Sequence, residues 1–395
     1  MMNDLTYVIV GGGHAGIGVL KAIQETTRGM VNGRQIQIVL IDKQPGHVRK
    51  VMLFRPAAGG EEIIISWRRY LSEGAEFVQG TVTSVDSEKK WVRYIDVQGN
   101  DTRIHYDCLI LTVGSIVREP GLHQGGIALS NLQAAQDIRE CWCANLWKAV
   151  RETNLKERKR LMKIAVAGAG ISGIETSAEL AEAMRKEASA IGLNPSDVSV
   201  YLLNGQERLF PGGPEKVGRK LDQMLSKCGV TVIHNRKAMR EKAGVLKLNN
   251  GDCLTIGLCV WTAGLIPNPV LRNMNLPLTP DGQMLVDECY RVQGVPDVYS
   301  IGDCARIIDP STGKMDQMTC KEAGPQAVRL GKIMMADLEG RPAPVHKSVM
   351  DAFAIGLGKN RGLVWVRKWG INMIITGKLA WKIKKLAWDW ASQLR

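Results

Sequence analysis

Two glycine-rich runs in this 395-residue chain have the composition to hold phosphate. Gly11-Gly12-Gly13-His14-Ala15-Gly16 follows the apolar run Thr6–Val10, and Gly168-Ala169-Gly170-Ile171-Ser172-Gly173 follows Lys163–Ala167. Each reads as strand, turn and helix. The first glycine of such a run permits the tight turn, the second lets a pyrophosphate approach the backbone, and the third lets helix and strand pack closely. Open amides at the helix start favour phosphate charge. A further strand follows each turn. Ile36–Ile41 ends at Asp42, whose carboxylate can accept a ribose hydroxyl, and Val198–Leu203 ends at Asn204. Two dinucleotide units in one chain suggest an enzyme that moves hydride from a nicotinamide to a flavin.

Two other segments order these units. Val298–Ala305 is a strand running into Gly302-Asp303, and Tyr106–Ser115 is a strand running into Thr112-Val113-Gly114. In flavoproteins with two dinucleotide domains, a strand ending in Gly-Asp returns the chain to the first domain, and its Asp binds the ribityl chain. Thr-x-Gly marks the crossover between domains. FAD is therefore expected on the first unit and NAD(P)H on the second.

With these motifs in place, the sequence resembles the two-dinucleotide-binding-domain flavoproteins. Among them it is most similar to type II NADH dehydrogenases, the single-subunit NADH:quinone oxidoreductases. The narrower signals are Arg55-Pro56-Ala57-Ala58-Gly59-Gly60, Val260-Trp261-Thr262-Ala263-Gly264, a long helix insert around residues 184–197 and a basic aromatic tail. The resemblance implies roles. Gly11, Gly13, His14, Ala15, Gly16, Asp42 and Lys43 would hold the adenosine and pyrophosphate of FAD, with backbone at Thr81 and Val82 facing the adenine. Lys50, Arg55, Thr112, Gly114, Gly302 and Asp303 would line the flavin. Gly168, Gly170, Ile171, Ser172, Gly173, Asn204 and Gly264 would meet NADH, with NADPH as the alternative. Glu175 matches an acid expected near nicotinamide and flavin, in cofactor positioning or proton handling. A carboxylate in a first helical turn is also favoured by the helix dipole alone.

Three departures from the family pattern matter. Asn204 stands where NADH-selective members carry an acid, and Arg208 is close by. Thr319-Cys320-Lys321-Glu322-Ala323-Gly324-Pro325-Gln326 replaces the expected Ala-Gln-x-Ala-x-Gln, with Lys321 at the first Gln. Lys321 is a candidate to stabilise negative charge on reduced flavin or quinone, or a solvated lysine. Cys320 with Cys141 or Cys143 is loosely similar to the cysteine pair of sulfide:quinone reductases. A buried structural thiol is the preferred reading.

Composition sets bounds. Lys and Arg number 52 against 39 Asp and Glu, for a formal charge of +13. That excess favours an anionic partner, but no nucleic-acid motif accompanies it, and none is expected to bind. No apolar run approaches the roughly 18 residues of a membrane span. A strand pattern begins at once, so no signal or transit peptide is expected. The 9 cysteines are scattered without a CxxC or zinc spacing, as in reduced proteins, and no metal is expected.

The last 35 residues differ from the rest. Eight are Lys or Arg against Asp389 alone, and five of the chain's 10 tryptophans lie there. Leu379, Ile383, Leu386, Trp390 and Leu394 recur at helical spacing. Such a helix suits the interface of an anionic membrane, with indole rings among the headgroups. The alternative is a helix docked on its own domain or on a second subunit, and a homodimer stays open.

The expected fold is α/β. Two Rossmann-like dinucleotide-binding domains comprise 1–115 with 280–345 for FAD and 116–279 for NAD(P)H. A membrane-association region, 346–395, completes the chain. The expected enzyme is a non-proton-pumping NAD(P)H:quinone oxidoreductase, peripheral on the cytoplasmic side of the cell membrane. Removing the tail from about Gly377 should then free it from lipid with flavin reduction intact. The rivals are a reductase of the same fold with a thiol or small redox protein as acceptor, and a flavin-bearing NAD(P)H sensor.

Overall fold

A computed structural model describes residues 4–31, 33–72, 74–121, 123–262 and 264–394. Ala263 and Arg395 lie outside the described residues. Two parallel sheets carry the two glycine turns. The first runs in the order Val298–Ser300, Cys108–Leu111, Leu5–Val10, Arg34–Asp42, Ala75–Asp86, followed by the antiparallel strands Trp91–Asp96 and Asp101–His105. The second is wholly parallel: Ile127–Ala128, Leu258–Trp261, Lys163–Ala167, Ser199–Leu203, Val230–Ile233. Central strands such as Tyr7–Val10 and Ile164–Ala167 are buried throughout. Continuous apolar runs of this kind belong to sheets covered on both faces.

Helix α1 (His14–Thr27) leaves the first glycine turn, and helix α2 (Leu132–Arg151) packs on the second unit. Helix α3 (Ile171–Ala190) leaves the second turn, and helix α4 (Glu215–Lys227) follows the next strand. Helix α5 (Cys320–Leu338) returns to the first unit and lies along α1. Small residues set that approach: a Cβ on Gly18 would lie 2.9 Å from Cβ of Ala327, and one on Gly331 would lie 3.2 Å from Cβ of Ala22. The antiparallel strands Ser115–Val117 and Leu265–Pro267 join the units. Leu271, Met274 and Leu276 already pack in the first core, ahead of residue 280.

The tail is not a free amphipathic segment. Strands Ala352–Gly356, Gly362–Lys368 and Ile371–Thr376 form an antiparallel sheet, and helix α6 (Lys378–Ala391) lies across it. Trp381 and Trp388, expected among lipid headgroups, are instead buried in the second core. They meet edge to face at 5.5 Å, and Trp388 packs against Phe54 at 5.9 Å with the rings tilted by 45°. Seven residues make nearly two full helical turns, which puts both indoles on one face. The opposite face leaves Leu379, Leu386 and Trp390 in solvent. Beside it, Trp369, Ile371 and Met373 project from the last two strands and their turn. No described helix is long and apolar enough to cross a membrane.

A buried Trp reduced to Ala typically costs about 3–5 kcal/mol. Trp388→Ala should lower unfolding stability by about 3 kcal/mol, and Trp390→Ala, at 72% exposure, by less than about 0.5. Denaturant titration followed by circular dichroism checks both.

Candidate active site

The two glycine turns are built alike. Gly11 and Gly168 hold φ of +102° and +111°, a region costly for residues with a Cβ. A Cβ on Gly16 would lie 1.9 Å from the Gly11 carbonyl oxygen, and one on Gly173 would lie 1.8 Å from that of Gly168. The middle glycines face open space, since a Cβ on Gly13 or Gly170 would meet nothing within 4 Å. Both are N-cap residues without a side-chain cap. Each helix start therefore presents uncapped amides to open space, where a phosphate could approach. Ala15 is buried behind the first turn, whereas Ile171 and Ser172 are exposed at the second.

Thr112 pins the first turn, its Oγ1 donating to Val10 O at 3.0 Å and Gly11 O at 2.7 Å. Thr262 repeats this on the second, donating to Ala167 O at 3.2 Å and Gly168 O at 3.0 Å. Thr262 has no role in the sequence reading, yet its signal is present: both threonines end a buried strand two residues before a positive-φ glycine, Gly114 or Gly264.

Around the first turn, Asp42 is already committed. Its Oδ2 accepts from Gly12 N at 2.6 Å and its Oδ1 from Gln44 N at 2.7 Å, tying the strand end to the glycine loop. Thr81 and Val82 lie just beyond Gln79, the partner of Asp42 in the adjacent strand. Asp303 accepts from Ser115 Oγ at 2.5 Å, and Gly302 N donates to Gln326 Oε1 at 2.8 Å. Burial raises the Asp303 carboxyl, against the Ser115 hydrogen bond and Lys50. Burial lowers the Lys50 ammonium, against Asp42 and with Lys43 adding to the shift. His14 and His47, the latter missed in the sequence, meet edge to face at 5.1 Å. Burial, aided by His47, Arg49 and Lys50, pushes His14 down to about 3, so it is neutral. His14 Nε2 is buried without a partner. An orphaned polar nitrogen beside an open amide cradle fits the phosphates of a dinucleotide flavin.

Glu175 lies in the first turn of α3 and is 2% exposed. It accepts from Gly356 N at 2.7 Å, and Lys384 Nζ stands 2.8 Å from the same oxygen. Lys384 also donates to Ala354 O at 2.8 Å. Burial pushes the Glu175 carboxyl up, and Lys384, the Gly356 amide and Arg55 oppose it. Burial raises the Cys320 thiol, against the charge of Lys384 and with Asp303 and Glu175 adding to the shift. The buried Glu175–Lys384 pair thus joins the second unit to the tail, with Cys320 at the start of α5 within its electrostatic reach.

Three expectations change. Lys321 does not enter this cluster; it is exposed, its Nζ 3.5 Å from Ala352 O. Cys320 takes the inward position, and the next residue on a helix turns about 100° away. The lysine that stands against Glu175 is Lys384. Arg55, expected near the flavin, has its guanidinium over Trp381 and Trp388 at 5.0 and 5.6 Å and 3.6 Å from Glu179. Removing the tail would take Lys384 with it and leave Glu175 buried without its cation, so an intact active site is no longer expected. Cys320 shares no charged neighbour with Cys141 or Cys143, and all nine thiols are free.

Residues 5–332 match the pyridine nucleotide-disulphide oxidoreductase family. The chain belongs to it. Among similar members, oxidoreductase ptaL of Pestalotiopsis fici is 26% identical over 90% of this chain and 90% of its own length. The type II NADH:quinone oxidoreductase of Haemophilus influenzae is 26% identical over 86% of this chain and 82% of its own. The fold is that of Plasmodium falciparum NDH2, solved with NADH: TM-score 0.84 at 18% identity, over 99% of this chain and 96% of that one. This last similarity reaches past the family match into the tail.

If the second turn holds a nicotinamide dinucleotide and the first a flavin, Gly170→Val should abolish nicotinamide binding while the protein stays yellow. Gly13→Val should yield colourless protein. Absorbance of the purified variants and titration with NADH separate the two.

Proposed function

We propose that the protein is an FAD-dependent NAD(P)H:quinone oxidoreductase that pumps no protons. The observation that carries this reading is the pair of matched glycine cradles, with a buried Glu175–Lys384 pair set near the start of α3. The type II NADH:quinone oxidoreductase among its relatives supports the choice of acceptor. Residues 1–115 and 280–345, together with the segment from Leu271 that packs in the same core, form the flavin unit, and the residues between Val117 and that segment form the nicotinamide unit. A flavin held in the former would supply the redox chemistry between nicotinamide and quinone.

The chain's residues account for the rest. Uncapped amides at His14 and Ile171–Ser172 bind the pyrophosphates. Asp303 and Lys50 orient the flavin from the Gly302 turn and the loop after Asp42. Glu175 and Lys384 hold a proton at Oε1 or Nζ in a site closed to water by Trp381 and Trp388. Quinone reduction consumes protons, and a buried carboxyl whose burial is offset by one lysine can exchange them with an acceptor. The reading with a thiol acceptor loses support, because Cys320 has no cysteine partner.

The free face of α6 with Trp369, Ile371 and Met373, flanked by Lys378, Lys382 and Lys385, suits peripheral attachment to anionic lipid. The nine free thiols suit a reducing compartment, hence the cytoplasmic face of the membrane.

Glu175→Gln should lower steady-state quinone reduction by about 100-fold or more, with anaerobic bleaching of the flavin by NADH less affected; equal losses in both would make the residue structural. Trp369→Ser with Trp390→Ser should weaken co-sedimentation with anionic vesicles. High salt should weaken it further by screening the lysines over about 10 Å at 0.1 M.

A further inference from the structure

We infer that the second cradle accepts the 2′-phosphorylated dinucleotide NADPH as well as NADH, with Asn204 as the permissive residue and Lys237 as the cation for the phosphate. This rests on the second turn being the nicotinamide site.

The residue ending the second strand of a dinucleotide unit faces the adenosine ribose, and a carboxylate there binds its 2′-hydroxyl. A fixed negative charge at that point also repels a 2′-phosphate. The first unit has the carboxylate in Asp42. The second has Asn204, 5% exposed, and it is firmly held. Its Oδ1 accepts from Gln206 N at 3.2 Å, and its Nδ2 lies 2.9 Å from His234 Nδ1. An amide nitrogen can only donate, so His234 Nδ1 accepts and Nε2 carries the proton. Nε2 then faces Asp222 Oδ1 at 3.3 Å. Asp222 thus faces His234 at the end of the adjacent strand, and Asn204 itself brings no charge to this edge. Gly168 N donates to Leu203 O at 3.2 Å, so this edge adjoins the cradle.

Arg208, the cation close by in sequence, is not available. Its guanidinium is spent on the carbonyls of Phe210, Pro211 and Gly213 at 2.7–3.0 Å. Arg236 is 3.8 Å from Asp252. Lys237 differs. Its backbone is fixed by N–H donation to Asn249 Oδ1 at 2.9 Å. Its side chain runs over Gly205, where a Cβ would lie 2.9 Å from Cε. The residue directly after Asn204 thus carries a lysine stem across it, and no described carboxylate pairs with the ammonium. The acid of the turn, Glu207, is exposed and contacts none of these groups among the described residues. A charged hydrogen bond to phosphate would favour NADPH here, and nothing replaces it for NADH.

The test uses purified holoenzyme. Anaerobic flavin bleaching and kcat/KM are measured with NADPH and NADH for wild type, Lys237→Ala and Asn204→Asp. Calorimetric titration compares adenosine 2′,5′-bisphosphate with adenosine 5′-monophosphate. Both nucleotides should bleach the wild type, with kcat/KM values within about tenfold of each other. In each variant the NADPH/NADH ratio should fall about tenfold through KM rather than kcat, and the bisphosphate should lose its advantage in Lys237→Ala. A wild type that NADH bleaches and NADPH does not, or a ratio unmoved by Lys237→Ala, overturns the inference and leaves the proposed function standing. Bleaching by neither overturns both.

Discussion

The buried pair between Glu175 and Lys384 is the contact on which the rest of the arrangement depends. Removing one member of such a pair typically costs about 3–5 kcal/mol, because a charge is left in an apolar site. Here the two members come from the start of the second unit's helix and from the last helix of the chain. The Gly356 amide and the Ala354 carbonyl complete their hydrogen bonds. The pair therefore fixes where α6 lies. With α6 fixed, Trp381 and Trp388 close over Phe54 and Arg55, and the loop after Asp42 is held from above.

The same helix reaches the first unit at its far end. Arg49 pairs with Asp389 at 3.1 Å and donates to Ser392 Oγ at 3.1 Å, while Tyr70 donates to Ser392 O at 2.8 Å. One face of α6 thus touches both dinucleotide units, and the other is apolar and exposed. That exposed apolar face is backed directly by the buried Glu175–Lys384 pair. A membrane-borne acceptor would then have only a short distance to travel.

The two halves solve the same steric problem by the same means. A helix can follow a strand closely enough to aim its amides at phosphate only if the crossing positions lack Cβ atoms, which fixes glycine at Gly16 and Gly173. A threonine from the neighbouring strand then holds the turn. Where the halves differ, chemistry differs: Asp42 ties its own glycine loop, whereas Asn204 is tied to His234 and leaves its ribose edge uncharged.

The strands, the glycine turns and the order of the two units were legible in the sequence, because they follow from local rules. Apolar runs make buried parallel strands, and positive φ or close packing demands glycine within a few residues. The helical spacing of Leu379, Leu386 and Trp390 likewise marked the face that stays exposed. Tertiary structure alone decided the composition of the reaction site. Glu175 and Lys384 are 209 residues apart, and a lysine among six others in a basic tail carries no local mark of burial. The inward turn of Cys320, which carries Lys321 outward, depends on how α5 seats against α1. The capture of Arg55 by two tryptophans depends on the docking of α6. These are long-range choices between equivalent side chains, settled by packing and desolvation rather than by residue type or spacing.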